Sequence, residues 1–114
     1  MEQKTFSIYK KNDAVKMQIG KDIFTLDETE RKNIFNNFSD VKNTRSLFPS
    51  TLMGTAIMYP NGLIAATINI GKVRLSGSEY ILVVYSLTPK STSYDVNTFI
   101  ITKEALESYM DALA

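Results

Sequence analysis

Lys10 and Lys11 follow Tyr9, and Lys16 comes back to the same region. Further along, Lys72 and Arg74 precede Tyr80, Arg45 precedes Phe48, and Tyr59 stands just ahead of an Asn-Gly pair. The chemistry open to such a set is non-covalent. Ammonium and guanidinium groups attract the phosphates of a polyanion, and aromatic faces are planes on which flat rings stack. Covalent chemistry has little to work with. The 114 residues include no His and no Cys, so thiolates, disulfides, the commonest general base and the commonest metal ligand are all missing. Serines and threonines abound, but a hydroxyl nucleophile needs a base beside it. Only carboxylate or lysine chemistry is left, and no enzymatic activity is expected.

Two further patterns fail their own tests. The tripeptide Ile-Gly-Lys occurs at 19–21 and again at 70–72. A phosphate-binding loop needs a glycine further back and Ser or Thr after the lysine. Here those places hold Val15 and Asp22 in one copy, Ala66 and Val73 in the other. Asp27, Glu28 and Glu30 resemble a carboxylate cation site, but their place at a helix start makes them capping residues. No metal and no cofactor is expected.

An apolar fraction of 44% with 22% charged residues suits one globular domain spanning 1–114. No apolar run is long enough for a membrane span, and the opening residues MEQKTFSIYKK lack an apolar signal region, so a cytoplasmic protein is expected. The net charge of +1 conceals segregation. Residues 1–21 carry five lysines against Glu2 and Asp13. Residues 22–40 are acidic, 41–78 hold four cations and no acid, and 79–114 are acidic again. Local charge, not the total, sets the field felt within about 10 Å of a surface.

The elements that would position these groups follow from periodicity. Residues 5–11 and 14–19 alternate, with Phe6, Ile8, Val15, Met17 and Ile19 on one face. Asn12-Asp13 and Gly20-Lys21 make turns, and Phe24 and Leu26 carry a third strand. Asp27 caps a helix with Ile34, Phe35 and Phe38 on its stripe, weakened and ended by Asn36-Asn37 and Ser39-Asp40; residues 40–52 read as irregular. Asn61-Gly62 signals a hairpin, after which Ile64, Ala66, Ile68 and Ile70 share a face. At Gly71 the apolar parity flips to Val73 and Leu75, which predicts a bulge or bend that turns Lys72 and Arg74 onto an open face. Residues 80–87 are apolar on both faces and read as a central, doubly covered strand. TPKSTS is a loop, 94–101 a last strand, and Thr102 caps a terminal helix with Leu106, Tyr109, Met110 and Leu113 on its stripe.

FTLDETERKNIFNNF and FIITKEALESYMDAL superpose without a gap, so that Leu26 meets Ile101 and Asp27 meets Thr102. The chain therefore reads either as one meander or as two units of strands followed by a capped helix.

The basic hairpin FSIYKKNDAVKMQIG, a helix between the third and fourth strands, and the stretch GKVRLSGSEYILVVY together resemble the small single-stranded-DNA-binding proteins of phages that infect low-GC Gram-positive hosts, such as lactococcal phages. The resemblance implies a β-rich α+β fold, an antiparallel OB-like barrel variant with two short helices, and sequence-tolerant binding of single-stranded DNA in replication or recombination in the host cytoplasm. The repeat reading favours a Whirly-like arrangement of two sheet-plus-helix units instead. The expected nucleic-acid-binding residues are Tyr9, Lys10, Lys11, Lys16, Arg45, Phe48, Tyr59, Lys72, Arg74 and Tyr80, with a homodimer or larger assembly lengthening the binding track. The chain ends in ALESYMDALA rather than the acidic, disordered tail of bacterial proteins with that function. The competing expectation is a protein-binding module, such as a small phage inhibitor of a host enzyme, using SLFPSTL and an exposed strand edge.

Overall fold

The computed structural model describes residues 5–59, 61–87 and 96–114. The opening residues of the chain, the TPKSTS loop and the first two residues of the expected last strand lie outside them. Strands β1 (Phe6–Lys11), β2 (Ala14–Ile19) and β3 (Asp22–Leu26) form one antiparallel sheet, and helix α1 (Glu28–Asn43) follows. Strands β4 (Met53–Met58), β5 (Ile64–Leu75), β6 (Ser78–Leu87) and β7 (Val96–Ile101) form a second sheet in chain order, and helix α2 (Lys103–Leu113) follows.

The first sheet forms where its turn chemistry says it should. Asn12 and Asp13 both adopt positive φ, 51° and 66°, the mirror-image turn whose twist matches that of the flanking strands. Alternation then buries Ile8, Val15, Met17, Ile19 and Leu26. Asp27 starts α1 with a reciprocal capping box: Glu30 N–H donates to Asp27 Oδ1 at 2.7 Å, and Asp27 N–H donates to Glu30 Oε1 at 3.0 Å. Thr102 caps α2 in a similar way, accepting from Ala105 N–H. The echo between the two strand-to-helix junctions is thus structural: two units, each an antiparallel sheet followed by a capped helix.

The units interlock crosswise. Helix α1 packs mainly on β4 and β5 of the second sheet, α2 mainly on β1 of the first, and the helices touch each other. One core results, from Met17 and Ile19 through Ile34, Phe38 and Val41 to Ile68, Ile70 and Val83. At the α2 end, Phe6 meets Phe99 and Tyr109 at centroid distances of 5.6 and 5.5 Å, and Tyr109 Oη donates to Phe6 O at 2.9 Å. Burial pushes the Tyr109 phenol above its ordinary pKa.

Several expectations are corrected. The two sheets share no ladder among the described residues, so there is no closed barrel. Helix α1 runs past Asn36-Asn37 and Ser39-Asp40 to Asn43, because Phe38 and Val41 are fully buried and burial outweighs weak intrinsic propensity. The register shifts between Ile57↔Ala66 and Met58↔Ile64, which leaves Ile64 exposed and buries Ala65. At Gly71 there is no bulge. Ile70↔Val83, Gly71↔Leu82, Lys72↔Ile81 and Val73↔Tyr80 follow in unbroken register, so Lys72 stays on the core face with Ile70. Glycine stands there for another reason: a Cβ would lie 3.3 Å from Thr51 Oγ1 and 3.4 Å from Phe48 Cδ2, where the 48–51 segment crosses. Strand β6 is central, between β5 and β7, as expected; on the neighbouring β7, Thr98 and Ile100 are exposed.

Val83 is completely buried in the shared core. Val83→Ala is expected to lower unfolding free energy by about 1–3 kcal/mol through lost burial and a residual cavity. Urea denaturation should show the midpoint falling with an unchanged slope.

Candidate nucleic-acid interface

The outer face of the first sheet is built by alternation alone. Ile8, Val15, Met17 and Ile19 point to the core, so Ser7, Tyr9 and Lys11 on β1, and Lys16 and Gln18 on β2, point away from it. Register sets Tyr9 opposite Lys16 and Lys16 opposite Thr25. Tyr9 Oη donates to Gln18 Oε1 at 2.9 Å, which lays the ring across the strands, and Lys16 Nζ donates to Thr25 Oγ1 at 2.6 Å. No acidic residue shares these alternating positions; Ile23 and Thr25 complete the row on β3. The arrangement places a half-buried aromatic ring and two lysines, Lys16 half-buried and Lys11 exposed, on the side of the sheet away from the core. Lys10 is corrected away from it. Its strand position is that of Ile8 and Val15, and its Nζ reaches Ala114 O at 3.4 Å, by the end of α2.

Lys72 is corrected more deeply. Its side chain is only 10% exposed, and its ammonium donates to Thr44 O at 2.7 Å and to Lys42 O at 3.1 Å, with Glu79 at 3.6 Å. These carbonyls are at the C-terminal end of α1, where the helix has no intrahelical donors left and carries partial negative charge. Lys72 is therefore a helix cap supplied by a strand, not a surface cation. Arg74 is exposed but paired, its Nη2 3.0 Å from Glu79 Oε1. The Arg74 hydrogen bond, and then the Lys72 charge, hold the Glu79 carboxyl below the usual carboxylate range.

The remaining expected residues are scattered. Tyr80 is half-buried opposite Val73 and lines a cavity of about 240 Å³ between the helix ends, with Lys42, Lys72, Glu79 and Lys103. Lys42 is itself bound to Glu107 at 2.6 Å. Arg45 is exposed just past α1, and Phe48, partly exposed, crosses Gly71 with its N–H donating to Lys72 O at 2.7 Å. Tyr59 is exposed at the far end of the β4–β5 hairpin, where its N–H donates to Leu63 O. The structure thus gathers Tyr9, Lys11 and Lys16, and leaves Arg45, Phe48, Tyr80 and Tyr59 on or beside the second sheet. Gln18 and Thr25, which orient Tyr9 and Lys16, were missed, although the same two-residue period that placed the lysines also placed them.

The acidic cluster at the start of α1 is accounted for within the fold. Asp27 and Glu30 make the capping box, and Glu28 pairs with Lys32 at 3.2 Å. No helix among the described residues is long and apolar enough to cross a membrane. Comparison with protein families, with characterised proteins and with solved structures gave no match.

Lys72→Ala and Lys72→Met are both expected to destabilise the fold, by about 1–3 kcal/mol, since each strips the donor from two helix-end carbonyls. Arg74→Ala, which breaks an exposed pair, should cost less than about 1 kcal/mol. Thermal unfolding of the three variants checks this ordering. The Glu79 pairs contribute fully above the ordinary carboxylate pKa, and the contribution is lost as pH falls through the lowered value, where the carboxylate takes up its proton. Glu79→Gln should accordingly flatten the acid side of the stability–pH curve, as read by melting temperature at stepped pH and low salt.

Proposed function

We propose that the protein binds single-stranded nucleic acid, without strong sequence preference, across the outer face of β1–β3. The observation that carries this reading is the set of outward strand positions on β1–β3, none of them acidic, on which Tyr9 lies in cross-strand register with Lys16 and one alternation from Lys11. Bases stack on such a ring, and phosphates of the same strand meet the ammonium groups beside it. Both helices pack on the sheets, and their first turns carry the acids Glu28, Glu30 and Glu104, which suits a duplex groove poorly. The sheet-plus-helix repeat supports the Whirly-like alternative over the OB-like one, and the resemblance to phage single-strand-binding proteins implies single-stranded DNA in replication or recombination as the ligand. A homodimer lengthens the track beyond one small face.

A second reading, a protein-binding module, is favoured by a separate observation. Ile23, Met58 and Tyr59 are exposed around a groove between β3 and the β4–β5 hairpin, with Leu63 and Ile64 exposed nearby. The SLFPSTL segment is less available to a partner, because Phe48 and Thr51 already bond the backbone of Lys72.

Fluorescence anisotropy with labelled oligo(dT) and with duplex of the same length tests the proposal. Single strands should bind more tightly, and Lys11→Ala with Lys16→Ala should lower the log–log salt slope by about 1.4, or about 0.7 for each phosphate that is no longer neutralised. Tyr9→Ala should cost about 1–3 kcal/mol of binding. Equal affinity for duplex, or a double variant with wild-type affinity and slope, would contradict it.

A further inference from the structure

Where α1 ends and α2 begins, the two helices leave a cavity of about 240 Å³ against β5, β6 and the end of β7. Its floor is apolar, since Ile81, Ile101 and Leu106 are all buried there. Its charged groups are Lys42, Lys72 and Lys103 against Glu79. Two of these are already matched. Lys42 is bound to Glu107 at 2.6 Å, and Glu79 to Arg74 at 3.0 Å. The other two are not. Lys103 is exposed and makes no hydrogen bond or ion pair among the described residues. The Lys72 side chain is only 10% exposed, and an ammonium has three N–H groups to place. Two of its donors go to Thr44 O and Lys42 O. The third has no acceptor within hydrogen-bond range among the described residues, because Glu79 Oε2 stands at 3.6 Å.

We propose that this cavity binds a small organic anion, with its carboxylate or phosphate oxygens on Lys72 and Lys103 and its apolar body on Ile81, Ile101 and Leu106. A buried ammonium with an unspent donor is costly until an acceptor reaches it, and a few convergent polar groups over an apolar floor make a ligand site. The field has the right sign. With Lys42 and Glu79 neutralised by their partners, the charge left over is that of two lysines. Helix α2 lines the cavity with its first turn, the positive end of its dipole. The negative end of α1 lies here too, but Lys72 already covers it. The volume sits just below the roughly 300 Å³ at which pockets for drug-sized ligands begin, which suits one ring with one charged head. The proposal stands whether or not the outer face of β1–β3 binds nucleic acid.

Amide shift mapping at constant ionic strength tests it, with phenyl probes of similar size and different charge: benzoate, phenyl phosphate, neutral benzamide and cationic benzylamine. Both anions should shift the amides of Ile81, Ile101 and Lys103 saturably, with millimolar affinity. Benzamide and benzylamine should bind there at least about ten-fold more weakly than benzoate. Inorganic phosphate lacks the apolar body, and should bind at least about ten-fold more weakly than phenyl phosphate. Lys103→Gln changes an exposed side chain. It should weaken both anions about three- to five-fold and leave the melting temperature nearly unchanged. No saturable shift at the cavity with either anion up to about 50 mM would overturn the proposal. So would benzamide or benzylamine binding as tightly as benzoate, or inorganic phosphate as tightly as phenyl phosphate. Anion affinities that Lys103→Gln leaves unchanged would overturn it as well.

Discussion

Two buried charges, Glu30 and Lys72, hold α1 across the second sheet from its two ends. Glu30 uses both carboxylate oxygens. Oε1 accepts from Asp27 N–H within the capping box, and Oε2 accepts from Met58 N–H on β4 at 2.9 Å. Lys72 closes the other end from β5. Between them, Asn37 bonds Thr55. Each charge has the sign its helix end favours, negative at the start and positive at the finish. Burial of a charge is costly unless it is fully paired, so the pairs act as a register: sliding α1 by a residue would orphan a carboxylate and an ammonium together. Since α1 belongs to the first unit in sequence and the second in packing, the clamp also fixes the sheets relative to each other.

That constraint explains which parts of the fold were legible. Local signals read well. Asn12-Asp13, the caps Asp27 and Thr102, and the Asn61-Gly62 hairpin each depend on residues a few positions apart, and each stands where those residues place it. What failed was long-range. Gly71 looked like a bulge or bend because a glycine sat at an apolar parity change, yet the register runs on unbroken and the glycine makes room for Phe48 and Thr51. Lys72 looked solvent-exposed because lysine on a strand usually is. Its carbonyl partners lie 28 and 30 residues away, on a helix expected to have ended earlier. The same early end concealed those carbonyls, so one misjudged boundary removed the reason for the buried lysine.

The candidate site divided on the same line. Groups placed by strand alternation, Tyr9, Lys11 and Lys16, share the face they were expected to share. Lys72, Phe48 and Lys10, held by tertiary contacts, are engaged elsewhere, and Arg74 is held by its cross-strand neighbour Glu79. The result is a sorting of cations by task. Lys72 and Lys42 join helices to strands or to each other, Arg74 holds Glu79, and the first sheet keeps Lys11 and Lys16 on the same outward face as Tyr9. Among the described residues, the outward register positions of the second sheet hold no charged side chain.

The sorting of cations is tested most directly by backbone amide shift mapping while unlabelled oligo(dT) is titrated into isotope-labelled protein. The account predicts that shifts concentrate on β1–β3, at Tyr9, Lys11, Lys16 and Thr25, with the amides around Lys72 and Arg74 unmoved. Shifts centred on β5 and β6 at Lys72–Tyr80, or no shifts at any ratio of DNA to protein, would contradict it.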